Sequence, residues 1–231
     1  MTDDIYDAVL FDNDGVLTTL VDRSVLREAA AAAFEQCGVD PDPADVDTIT
    51  VGVSHSDLTT ICESYGLSPE TFWRVRDETT SQAQIDAVHR GEKRLYDDID
   101  AVSAIDCPRG VVSSNQQATL DFLDDHFRID SWFETVYGRE PTPESLARKK
   151  PETHYIDRAL ADLDVAADRT LFVGDTWVDV TAGARAGCDT AFVRRPHRHD
   201  HELETLPTYE VETLDDLLAL DGVPHSAEVG R

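Results

Sequence analysis

Four short stretches of the chain are apolar almost without interruption: "AVLF" at 8–11, "GVVS" at 110–113, "TLFVG" at 170–174 and "TAFV" at 190–193. Runs this short and this continuous predict strands buried on both faces, as in a parallel sheet, because a strand with one wet face would alternate. "ETVYG" at 134–138 is a weaker fifth candidate and "YEV" at 209–211 a sixth. Helical periods fall between them, in "QQATLDFLDDHF" (116–127), "PETHYIDRALADL" (151–163) and "DVTAGARAG" (179–187). Pro151 suits a first helical turn, and Gly187 suits a helix stop. Strand–helix alternation of this kind predicts an α/β fold, a doubly wound, Rossmann-like parallel sheet with helices on both faces.

Residues 18 to 93 break the alternation. "DRSVLREAAAAAFEQCG" places Val25, Leu26, Ala29, Ala30, Ala33 and Phe34 on one helical face and ends at Gly38. "SDLTTICESYG" and "SPETFWRVRDETTSQAQIDAVHRG" predict two further helices, each ended by a glycine. The expected organisation is therefore an α/β core made of 1–17 and 94–231, with an all-helical cap, 18–93, inserted after the first strand.

Charge changes the picture. The 231 residues carry 47 acids against 20 bases, a formal net charge of −27, and only Lys93, Lys149 and Lys150 among the bases are lysine. Such a surface repels nucleic acid and anionic lipid, so neither is an expected partner. The acids are spread along the whole chain, which predicts a protein that needs salt to screen its self-repulsion, as in a high-salt, halophilic cytoplasm. No apolar run approaches a membrane span, and the N-terminal residues lack a basic leader; a soluble cytoplasmic location is expected. Cys37, Cys62, Cys107 and Cys188 are scattered without metal-ligand spacing and are expected to be reduced thiols.

The chemistry lies where the apolar runs end. Asp12 and Asp14 follow the first run two positions apart and so share a side in extended backbone, with Gly15 free to turn. Asp175 and Asp179 follow the third, Ser113 and Ser114 end the second, and Lys149 and Lys150 precede a helix. In an open α/β sheet these positions converge on one edge, the edge that binds ligands. Carboxylates crowded there repel unless a hard cation joins them, and Mg2+ suits few carboxylates, several waters and a phosphate oxygen. Lys150, the Ser113 hydroxyl and backbone N–H groups could then hold a phosphoryl group. One carboxylate remains to attack phosphorus, and a second can move the proton. Blander readings stand beside these. "DNDG" alone is a common turn, Ser114 and Asn115 could cap a helix as readily as bind phosphate, with Ser114 kept as a phosphate-binding candidate, Asp179 could be a helix-start acid, and "PHRHDHE" (196–202) reads as an exposed polar loop.

"FDNDGVL", "VVSSN", "KKP" and "VGDTWVD", in this order, resemble the four motifs of haloacid dehalogenase-like hydrolases, and the likeness extends over nearly the whole chain. The resemblance implies Asp12 as nucleophile, Asp14 as general acid and base, and Ser113 and Lys150 as phosphoryl ligands. It also implies a Mg2+ bound by Asp12, the Asp14 main-chain carbonyl and Asp175, with Asp179 supporting. The insert is similar to the helical cap of the phosphoglycolate phosphatase and β-phosphoglucomutase branch. The implied function is Mg2+-dependent hydrolysis of a small phosphorylated metabolite through an aspartyl phosphate. A phosphomutase is the alternative; "VGVSHSD" (51–57) resembles a specificity loop of that enzyme but has Val51 and His55 where the resemblance leads one to expect cations, leaving His55 as the expected cap contact with substrate. Asp14 argues against dehalogenation, and Lys93, at the very end of the insert, is a poor candidate for phosphonate chemistry. A receiver-like phospho-acceptor domain shares the residue types but is shorter and has no cap.

Overall fold

The structure is a computed structural model and describes residues 6–200, 203 and 205–226. Six parallel strands form one sheet: β1 (Ala8–Phe11), β2 (Arg109–Gln116), β3 (Thr135–Arg139), β4 (Thr170–Gly174), β5 (Asp189–Val193) and β6 (Tyr209–Val211), in the order β3-β2-β1-β4-β5-β6. Every expected strand is present. The alternation of side chains explains the unbroken apolar runs: Val9 and Phe11 enter one core layer with Val111, Leu171 and Val173, while Leu10 enters the opposite layer with Val112 and Phe172.

Helix α6 (Gln117–Phe127) packs into the first layer through Leu120 and Leu123. Helices α7 (His154–Leu163) and α8 (Trp177–Ala186) supply Tyr155, Ile156, Ala159, Leu160 and Ala182 to the second. Pro151 does not open α7 as expected; the helix begins at His154, after a turn through 151–153. Gly187 stops α8 in the left-handed region at φ 87°, as its position suggested.

Four helices lie between β1 and β2, with a one-turn helix, α5, after them at Asp100–Ser103. They are α1 (Arg23–Gln36), α2 (Pro43–Thr50), α3 (His55–Tyr65) and α4 (Pro69–His89). Three were expected; α2 was not, because eight residues with only Val46, Ile49 and Thr50 buried make a weak periodic signal. Its start was nonetheless written in the chain, as Asp42 caps the Ala44 N–H and Pro43 occupies the first turn. These helices close on their own apolar cluster, which includes Ala33, Phe34, Ile49, Ile61, Phe72 and Trp73. Among the described residues no helix is long and apolar enough to cross a membrane. Cys62 and Cys188 are buried, and Cys37 and Cys107 half-buried.

Candidate active site

Strand β1 lies between β2 and β4, and the chain departs from it in both directions across the sheet. This is the switch point where an α/β sheet opens a crevice at its carboxyl edge. Phe11 pairs with Val173, so Asp12 leaves β1 beside the end of β4, where Gly174 leads into Asp175. Asp12, Asp175 and Asp179 each offer a carboxylate oxygen within 4.8 Å of the others, and all three are buried. Two glycines make room for this. A Cβ on Gly15, which has φ +87°, would lie 2.3 Å from Asp175 Oδ2, and a Cβ on Gly174 would lie 2.1 Å from Asp179 Cβ.

Lys150 binds the group from below. Its Nζ lies 2.8 Å from Asp12 Oδ1 and 2.6 Å from Asp179 Oδ1, and donates to the Val112 carbonyl at 3.0 Å. The Asn13 N–H also donates to Asp12 Oδ1, at 2.7 Å, so both contacts fall on one oxygen and Oδ2 is the freer of the two. Burial pushes the Asp12 carboxyl up to about 7; the neighbouring Asp179 and Asp175 push the same way, against the pull of Lys150. Burial disfavours a charged Lys150, but Asp12 and Asp179 more than reverse this and hold it protonated. Asp175 Oδ1 is buried without a hydrogen-bond partner among the described residues. An orphaned carboxylate oxygen amid three acids is a donor set that a hard divalent cation fits.

Asp14 turns elsewhere. Its Oδ1 is paired with the Lys93 ammonium, and its Oδ2 accepts from Asn115 Nδ2 at 2.7 Å. Lys93 is fully buried and also donates to the Thr19 carbonyl at 3.1 Å. Burial alone would raise the Asp14 carboxyl, but Lys93 and the Asn115 amide outweigh it and hold the group below the usual carboxylate range. Asn115 is held in turn by Gln84 of α4, through bonds of 2.9 and 3.0 Å. Lys93, Asn115 and Gln84 were not foreseen at this position; Lys93 is separated from Asp14 by 79 positions and Asn115 by 101.

A cleft of about 590 Å3 opens above these residues, between the helical insert and the sheet edge, and Asp12, Asp14, Ser113 and Ser114 line it. Ser113 is buried, and its Oγ accepts the Asn115 N–H at 3.2 Å. Neither Ser114 nor Asn115 caps α6; its N-cap is Gln116, whose N–H is taken by Asn115 Oδ1 at 2.8 Å. His55 stands exposed as the first residue of α3 and does not line the cleft, whereas Val51, Gly52 and Val53 do. Lys149 also faces the cleft, with Nζ donating to the Val53 carbonyl at 2.8 Å.

The loop at 196–202 is exposed at 196, 197, 199 and 200 and half-buried at Arg198, and it reaches the acids: His197 Nε2 and Arg198 Nε both lie 2.9 Å from Asp175 Oδ2. Residues 201 and 202 of that loop lie outside the described residues.

The haloacid dehalogenase-like hydrolase family matches residues 6–187. Pyrophosphatase PpaX of Anoxybacillus flavithermus is 29% identical over 144 residues, covering 62% of this chain and 65% of that protein. Phosphoglycolate phosphatase of Escherichia coli is 25% identical over 133 residues, covering 57% of this chain and 51% of that protein. The match thus spans between half and two thirds of these curated relatives. Among solved structures, CbbY from Rhodobacter sphaeroides in complex with phosphate superposes with a TM-score of 0.71 at 20% identity, over 94% of this chain and 99% of that one.

Proposed function

The chain belongs to the haloacid dehalogenase-like hydrolases, and on that footing we propose that it is a Mg2+-dependent phosphatase that hydrolyses a small phosphorylated metabolite through an aspartyl phosphate. The observation that carries the reading is the convergence of Asp12, Asp175 and Asp179 within 4.8 Å at the floor of a cleft, with Lys150 bridging Asp12 and Asp179. Asp12, Asp175 and the Asp14 main-chain carbonyl would hold the ion, with Asp179 supporting. When bound, Mg2+ would supply the positive charge that lets a phosphate dianion approach a carboxylate.

The residues divide the remaining work. Lys150 and the Asn13 N–H fix Asp12 by one oxygen, which aims the other at phosphorus. As the Asp12–phosphorus bond forms, the ester oxygen leaves with a proton from Asp14; Lys93 favours the ionised form of that carboxyl, so the step runs through its protonated fraction, loaded from solvent before attack. Water then attacks the aspartyl phosphate, Asp14 takes up the proton, and the bond to Asp12 breaks to release phosphate. The buried Ser113 hydroxyl and the Lys150 ammonium hold phosphoryl oxygens in both steps. The insert, taken as residues 18–93, forms the roof and would exclude water from the intermediate. The apolar lining from Val51 and Val53 gives the phosphomutase alternative no cation in that loop, and His55 is not retained as a substrate contact.

Asp12→Asn should abolish Mg2+-dependent hydrolysis of p-nitrophenyl phosphate in high KCl, while the variant keeps its melting temperature within a few degrees. Substantial residual turnover would rule out Asp12 as the nucleophile.

A further inference from the structure

Helix α4 buries a polar face. Trp73, Arg76, Thr80 and Gln84 recur at three- and four-residue spacing and all line the cleft. Gln84 is taken up by Asn115; the others serve no purpose in the hydrolysis described above. Trp73 and Thr80 are 1% and 4% exposed, yet the indole Nε1 and the Thr80 hydroxyl have no hydrogen-bond partner among the described residues. Buried donors left this way are costly unless something else completes them.

Their surroundings are cationic. The Arg76 and Arg139 guanidiniums stack on the Trp73 ring at 4.8 and 4.9 Å, and Asp77 is the one carboxylate bonded to both. Two guanidiniums against one carboxylate leave a net positive charge. Lys149 adds another, since its ammonium is satisfied only by the Val53 carbonyl and has no carboxylate within ion-pair distance among the described residues. Burial, and then Arg139 and Arg76, push Lys149 down to about 8, against a smaller opposing pull from the exposed Asp57 beyond ion-pair distance. A chain with 47 acids and 20 bases has thus gathered a positive, donor-rich flank beside its acidic floor, shared between α4 of the insert and the sheet-side residues Arg139 and Lys149.

We propose that Lys149, Trp73 and Thr80, backed by the Arg76–Asp77–Arg139 cluster, form a second subsite that takes an anionic group, a carboxylate or a second phosphate, at the far end of the phosphate ester. The inference rests on the phosphatase reading and narrows its substrates to small esters bearing two anionic groups. Indole N–H is a donor only, the ammonium likewise only donates and has N–H bonds to spare beyond the Val53 carbonyl, and the hydroxyl can donate; this set matches oxygens with negative charge and leaves a neutral alkyl tail nothing to satisfy.

Three esters with the same three-carbon skeleton test it: propyl phosphate, its carboxylate counterpart 3-phosphooxypropanoate, and 1,3-propanediol bisphosphate. The wild-type chain should favour one or both anionic esters over propyl phosphate in kcat/KM by about tenfold or more. The member favoured tells whether carboxylate or phosphate is the fitting group. Lys149→Met should reduce that preference by about tenfold, mostly through KM, with Lys149→Arg restoring part of it and Thr80→Val reducing it by a few fold. No preference in the wild type, or equal losses on all three esters in Lys149→Met, would overturn the subsite. Calorimetric titration of the Asp12→Asn chain with the same esters separates the two readings. Tighter, Lys149-dependent binding of an anionic ester upholds the subsite even if no ester is hydrolysed; equal binding of all three overturns it even if hydrolysis is intact.

Discussion

The Asp179 carboxylate divides its two oxygens between structure and site. Oδ2 accepts from the Thr176 N–H and hydroxyl at 3.0 and 2.5 Å, closing the capping box that starts α8, while Oδ1 meets Lys150 at 2.6 Å. The helix-start reading and the site reading of this residue are therefore compatible. Asp14 and Lys93 make a comparable pair: a wholly buried ammonium holds in ionised form a carboxylate that is 26% exposed. The Asp14 carboxyl is held low when folded, so its contribution to stability is present above the ordinary carboxylate range and is lost as pH falls through the lowered value. Lys93→Met should cost about 2 kcal/mol near pH 7, less than for a fully buried pair because Asp14 is partly wet. The difference from wild type should shrink toward pH 3. In the same variant burial acts on Asp14 with Lys93 gone, so the alkaline limb of kcat/KM, set by loss of the proton that Asp14 gives to the leaving oxygen, should move to higher pH. Urea unfolding across pH and a rate profile would measure both; a stability gap independent of pH would show that Asp14 is not the group Lys93 serves.

At the scale of elements, the site depends on how closely β4 runs under the first turn of α8. Gly174 ends β4, and the space where its Cβ would sit is filled by the Asp179 Cβ at 2.1 Å. Neither atom is the loose end of a flexible side chain, so Gly174→Ala must push the start of α8 away. A cost of about 2 kcal/mol and a loss of Mg2+ affinity are expected, read by urea unfolding and by metal titration. Unchanged affinity would mean that Asp179 is dispensable to the ion. The strands and their order of use were legible in the chain because a doubly buried strand has no choice but a continuous apolar run. The acids and Lys150 were legible because they directly follow or precede such elements. Lys93, Asn115 and Gln84 were not, since their contact is made by folding the insert back over the sheet edge, and no local period records it. One signal was available: α4 shows Arg76, Asp77, Thr80, Ser81 and Gln84 buried on one face, and a helix with a polar stripe where its apolar stripe belongs marks a wet or ligand-facing roof.

Over the whole molecule two electrostatic effects oppose each other when salt is added. Exposed ion pairs such as Arg27–Asp47, Arg74–Glu78 and Arg94–Asp97 weaken with screening, but pairs of this kind contribute little each. Repulsion among 47 acids with only 20 bases to offset them weakens as well, and it acts over the entire surface. Raising ionic strength from about 0.1 M to 1 M shortens the screening length from about 10 Å to about 3 Å, which separates neighbouring surface acids from one another. The buried Lys150 pairs with Asp12 and Asp179 are shielded from this change by their burial. The repulsive contribution should therefore dominate. The melting temperature should rise steadily with KCl, by about 5 °C or more across that range, and catalysis should be retained because its ion pairs lie inside. KCl should act like NaCl at equal concentration if screening is the cause. A melting temperature that fell with KCl would mean that the surface pairs outweigh the excess of acids, and the salt-dependent character inferred from the charge would be withdrawn.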